Sequence, residues 1–260
     1  MKRSALILLL LLALVAITSG QAQLGDRFLG ETLEYDGKLK VSPLLPDISI
    51  GDLKFTVVAG DDPGSVVVRS EAVSKGSLLR LFRFSFLQQY GSVMDRSSLN
   101  ILKTTKHDVQ KERIRDSEAV FDYTAGRVTF VETDPASPNR PPRRIASSIG
   151  PEMSDIVSGI YRIRTMPLMV GKTFEISLSD SGLVYSVPVR VAAREQQKYA
   201  GKKVWCLRIE PVVFGPGRLI EQKGSLTIWL TDDDARLPIR GLLNLDYGKL
   251  DVRLKPQTPK

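Results

Sequence analysis

The sequence predicts a mainly β protein: an antiparallel meander or a curved, barrel-like sheet with one principal helix packed on it. Three observations carry that expectation. Apolar residues recur with period two through most of the chain. Turn-forming clusters separate these runs at close spacing. One segment, 151–166, repeats its apolar residues at helical spacing instead.

Taken in chain order, the first segment stands outside the fold. Met1-Lys2-Arg3 precedes Ser4 and an uncharged run from Ala5 to Ile17, and the small residues Gly20 and Ala22 follow. A basic start, a short apolar stretch and a small-residue exit describe a secretory signal peptide over 1–22, with cleavage after Ala22. The run is shorter than the roughly 20 residues a membrane-crossing helix needs. Cleavage leaves 238 of the 260 residues and removes Lys2 and Arg3, so the formal charge falls from +8 to +6. The remainder, 23–260, is expected to form a single β-rich domain that is exported, periplasmic in a Gram-negative source, and not membrane-spanning once cleaved. Asn100, Asn139 and Asn244 all lack the glycosylation context, which leans toward a bacterial envelope.

The strands come next. Leu33, Tyr35, Gly37, Leu39 and Val41 alternate with Glu34, Asp36, Lys38 and Lys40, the pattern of a half-buried strand. Such heavily charged alternation does not suit the lipid-facing side of an outer-membrane barrel. The pattern returns at Leu183 to Val191, Trp205 to Ile209, Leu226 to Leu230 and Leu237 to Leu245. Turn signals lie between: Gly60 to Gly64, Thr124 to Gly126, Asp180 to Gly182, Tyr199 to Gly201, Gly215 to Gly217 and Asp232 to Asp234. The helix is expected from Pro151 to Met166, with Met153, Ile156, Val157, Ile160, Tyr161 and Ile163 on its apolar side and Pro151 in its first turn. Asp134 to Arg144 is rich in proline and arginine. It reads as a loop which, with the helix, joins two β-rich halves, 24–133 and 167–255.

With these elements placed, three stretches stand out: "GETLEYDGKLK", "DIVSGIYRIRTMPLMVGKTFEI" with Tyr161, Arg164 and Gly171, and "GSLTIWLTDDDARLPIR". Together, and in this order, they resemble the exported bacterial proteins grouped as domain-of-unknown-function family number 3108. The resemblance implies an exported, mainly antiparallel β protein of unassigned activity and supplies no catalytic residue. The stretch "VSPLLPDISIGDLKF", with Pro43 and Pro46, departs from the family's glycine-bearing strands.

The composition excludes several kinds of chemistry. One cysteine cannot form an intrachain disulfide, and one cysteine with one histidine cannot build a four-ligand Cys/His zinc site. His107 lacks a nucleophile elbow to serve and reads as a solvated strand residue. Cys206, on the strand Val204 to Val213 and on the face opposite Trp205, Leu207 and Ile209, reads as a buried structural thiol. Asp232-Asp233-Asp234 lacks the alternating acids of a calcium loop and reads as a turn. No catalytic residue, metal site or cofactor is expected.

One stretch does suggest binding. Read as a strand, Leu78 to Tyr90 stacks Phe82, Phe84 and Phe86 on one face. Such a face either fills a core or lines a pocket for an acyl or other apolar ligand, with Arg83 or Arg164 supplying a polar contact. The positive balance favours anionic partners, a lipid or an acidic envelope glycan, whereas nucleic acid is not expected after export. The sequence therefore points to a non-enzymatic exported envelope protein that binds a lipid-like ligand. A protein-interaction or scaffolding module of the envelope is the alternative, and a hydrolase of envelope polymers ranks last.

Overall fold

The computed structural model describes residues 23–42, 44, 46–75 and 86–257. A short 3-10 turn, Leu24–Phe28, precedes the sheet. Alternation then yields β1 (Thr32–Lys40), β2 (Ile48–Ala59), β3 (Ser65–Ser74) and β4 (Phe86–Asp95). β5 (Ile101–Gln110), β6 (Arg113–Asp122), β7 (Arg127–Thr133) and β8 (Arg143–Ser148) follow. After the helix α1 (Ile156–Thr165) come β9 (Thr173–Asp180), β10 (Leu183–Tyr199) and β11 (Lys202–Pro211). The last strands are β12 (Gly224–Thr231), β13 (Pro238–Leu245) and β14 (Gly248–Leu254).

All fourteen strands belong to one antiparallel sheet. β1 sits in its middle, with β2 to β8 running out on one side and β14 back to β9 on the other. Pairing of β1 with β14, in register Tyr35 to Leu254 through Lys40 to Lys249, joins the first strand to the last. The outermost strands, β8 and β9, are therefore the two that flank α1. They do not pair, so the barrel-like sheet stays open. Its margins still approach: a Cβ on Gly182, in the β9–β10 turn, would stand 2.6 Å from the Phe130 Cβ and 3.1 Å from the Ile145 Cβ. That crowding, with a φ of +80°, is why glycine occupies this turn.

The helix plugs one end of the barrel. Val157 and Tyr161 pack with Phe28, Val57, Val66, Met94 and Met153, while Ile163 packs with Ile176, Val189, Ile209 and Leu230 from the other side of the sheet. The helix is shorter than the periodicity predicts. Asp155 starts it through a reciprocal capping box with Ser158, a stronger start than proline alone. The residues before it are used elsewhere: Met153 O accepts from Ile101 N at 3.0 Å, and Ser154 bridges to Leu178 along the β9 edge. At the other end Arg236 donates to the Arg164 carbonyl at 3.1 Å and to that of Met166, satisfying terminal carbonyls.

Two further expectations are corrected. The proline-rich segment is not loop throughout: Arg143 and Arg144 open β8, an edge strand whose Ile145 packs on the core. Trp205 does not share the burial of Leu207 and Ile209; it is 47% exposed beneath the Arg194 guanidinium, 4.3 Å from its ring.

Candidate ligand-binding site

Directly opposed residues in an antiparallel ladder share a face. Register aligns Gly51 with Gly37, Gly37 with Val252, Val252 with Gly241, and Gly241 with Ile228. One row across five strands thus carries three glycines. Toward the helix this row is flanked by Leu53 with Tyr35 and Phe55 with Leu33. Toward the other end runs Leu39, Leu250, Leu243 and Leu226.

A cavity of about 170 Å³ lies between α1 and the Gly241 end of this row; Gly37 and Gly51 do not border it. Its walls are Leu33, Tyr35, Leu53, Phe55, Leu226, Ile228, Leu243 and Val252, and Ile160 and Tyr161 form its helical side. Gly241 borders it, and a Cβ there would meet only the Val252 Cβ, at 4.0 Å. Leu226, Leu243 and Val252 are only half-buried, so the cleft opens to solvent on the side away from the helix.

The site is electrically neutral. Burial pushes the Tyr35 phenol well above its ordinary value, and its hydroxyl donates to the Pro238 carbonyl at 2.8 Å. Burial, reinforced by the Glu31 charge, does the same to Tyr161. Arg240 borders the cavity, but its guanidinium is held by Asp251 at 2.8 and 2.9 Å and lies 4.8 Å from the Trp229 ring. A neutral apolar cleft of this size suits apolar molecules; an engineered, enclosed cavity of about 150 Å³ binds benzene. Among the described residues, no nucleophile or acid–base pair borders it.

Of the residues singled out in the sequence, Phe86 is among the described residues but does not line the cavity. It opens β4 next to Ser74, and its Cζ would lie 3.2 Å from a Cβ on Gly51. Phe82, Arg83 and Phe84 lie outside the described residues. Arg164 does not border the cavity. It is 2% exposed and spent on Glu31, on the Ala235 carbonyl at 3.0 Å, and on the Phe28 and Tyr161 rings at 4.6 and 5.1 Å.

The other candidates have structural surroundings. Cys206 is fully buried, and burial pushes its thiol up to about 11, the mark of an unreactive thiol. His107 sits on β5 with Nδ1 2.5 Å from an Asp116 oxygen, both partly exposed. Asp233 closes the β12–β13 turn, accepting from Thr231 Oγ1 at 2.7 Å and Arg236 N at 3.0 Å. A broad groove of about 940 Å³ crosses β2 to β7. It is lined by polar and charged groups including Lys54, Arg69, Glu71, His107, Asp116 and Glu118. Among the described residues, no helix is long and apolar enough to cross a membrane.

No curated protein matches the chain. Among solved structures, the chain is similar to the crystal structure of a beta-barrel-like protein of Domain of Unknown Function DUF1849 from Brucella abortus. That likeness has a TM-score of 0.56 at 10% identity and covers 88% of this chain and 97% of the other. At that identity it shows a common fold alone. The family described as Protein of unknown function (DUF3108) matches residues 38–255, from within β1 to just past β14, and the chain belongs to that family.

Proposed function

We propose that this is an exported cell-envelope protein that acts without catalysis and holds the apolar part of a lipid-like ligand in the cleft beside α1. The observation that carries the reading is the neutral apolar cavity itself, left open at Gly241, where a Cβ would meet only the Val252 Cβ at 4.0 Å. Glycine inside a strand weakens it and often marks a site where a ligand or another backbone approaches closely. The cavity accommodates one ring or a short alkyl segment, so the rest of a longer amphiphile lies toward the open side. Residues 1–22 support export.

The test is native mass spectrometry with solvent extraction, applied to protein recovered from the envelope fraction of its own cells. A reproducible apolar adduct is the expected result. Repeated recovery of ligand-free protein, from the envelope or elsewhere, counts against the reading. A scaffolding role is the second reading, favoured by the broad charged groove across β2 to β7. Crosslinking through that groove then captures one reproducible envelope protein.

A further inference from the structure

We propose that the rim of the cleft docks on an anionic lipid surface. The chain leaving β1 at Lys40 and Val41 lies beside the β13–β14 turn, at the end of the barrel opposite α1. A Cβ on Gly248 would stand 2.6 Å from the Lys40 carbonyl oxygen and 3.3 Å from the Val41 Cα. On these two tips Val41 is 50% exposed, Tyr247 61% and Leu44 93%. Three large apolar side chains held out in water at adjacent tips are unusual enough to mark a contact surface.

Charge selects the occupant. Lys40 and Lys249 face each other across β1 and β14, and Lys223 precedes Gly224, which pairs with Leu245 two residues before Tyr247. Two acids lie among them: Asp47, 4.0 Å from Lys40, and Asp246, beside Tyr247. Lysines around an exposed leucine and tyrosine form the composition of a membrane-interface anchor. The apolar groups enter the headgroup boundary, and the cations meet anionic lipid. A stable protein interface buries about 800 Å² per partner, more than these three side chains supply. The next row along the strands is Leu39, Leu250, Leu243 and Leu226, of which Leu243 and Leu226 line the cleft. Docking here sets the open side of the cleft against the lipid headgroups. The surface is separate from the cavity and needs no ligand in it.

Flotation with vesicles of phosphatidylcholine, with and without phosphatidylglycerol, tests this. Wild type and variants are taken as recovered from the cell, so all share the same N-terminus. Wild type is expected to float with the anionic vesicles. The double substitution Leu44→Asp with Tyr247→Asp is expected to lower the bound fraction at least tenfold, with the thermal midpoint unchanged because both sites are exposed. Lys40→Gln with Lys249→Gln should weaken binding to anionic vesicles by about fivefold per lysine and leave neutral vesicles unaffected. Gly241→Leu, inside the cleft, should float like wild type, so failure of docking and failure of ligand binding are read apart. The proposal is overturned if wild type stays at the bottom with both vesicles, or if the Asp variant floats as well as wild type. A dimer abolished by the same Asp variant would assign the patch to a second copy and overturn it too.

Discussion

Arg164 and Glu31 meet fork to fork at the plugged end of the barrel, with Nη1 2.7 Å and Nη2 2.6 Å from the two carboxylate oxygens. The pair ties the C-terminal turn of α1 to the residue before β1, across 133 positions of sequence. It therefore fixes where the helix crosses the sheet, and with it the position of Ile160 and Tyr161 at the cleft.

Breaking this pair from one side leaves an almost fully buried guanidinium uncompensated. Glu31→Ala is expected to cost about 3–5 kcal/mol of stability, whereas Glu31→Ala combined with Arg164→Met should recover much of it. Urea unfolding midpoints of the single and double variants measure this. A single-variant loss below about 1 kcal/mol would show that the pair is not what holds the helix in place.

Two aspartates impose opposite pH dependences. Burial alone would raise the Asp251 carboxyl, but hydrogen bonds and charge from Arg240 and Arg253 outweigh it and hold the group below its ordinary value of 3.8. Its stabilisation is therefore present above about pH 4 and lost as pH falls through the lower folded value. Asp155 is fully buried, and burial raises its carboxyl despite hydrogen bonds from Ser158 and Thr104. A folded value above the unfolded one means that its contribution is complete below the unfolded value and declines as pH rises through the folded one. In urea titrations at stepped pH, Asp251→Asn should flatten the acid limb. The stability difference between wild type and Asp155→Asn should shrink as pH rises. An unchanged acid limb in Asp251→Asn would remove that carboxylate from the account.

Much of the sheet is legible in the alternation of side chains. The expected run Leu33 to Val41 becomes Thr32–Lys40, and Leu237 to Leu245 becomes Pro238–Leu245. The helical period is equally plain at Ile156 to Ile163, but its start is not. Asp155 and Ser158 make a capping box in an unusual residue pairing, and Gly150-Pro151 offers a competing start. β8 is hard to read because it is a short edge strand whose inner face carries a single large apolar residue, Ile145, beside Ser147. The outer part of β10, through Glu195, Gln196 and Gln197, is as polar and as silent. The cleft is legible only in pieces. Each strand shows its apolar face, yet which faces meet depends on register. Register here shifts at bulges, Gly37/Lys38 and Trp229/Leu230, that no local pattern announces. The local signal of the cleft is glycine inside a strand at position 241.

Gly241 offers the most direct test of what the cleft is for. Its backbone is ordinary strand, and a side chain there would project into open space, with only the Val252 Cβ at 4.0 Å. Gly241→Leu should therefore fold and fill the cavity, gaining stability of up to about 1.5–3 kcal/mol from the buried leucine. Gly51→Leu is the matched contrast. Its Cβ would stand 2.6 Å from the Val73 carbonyl oxygen, so the sheet itself must shift and stability should fall. Binding of a fluorescent fatty-acid probe is expected to weaken at least tenfold in Gly241→Leu while the thermal midpoint holds or rises. Loss of binding with a preserved fold places the ligand between β13, β14 and α1. Undiminished binding in a stable Gly241→Leu protein would move the ligand out of the cleft.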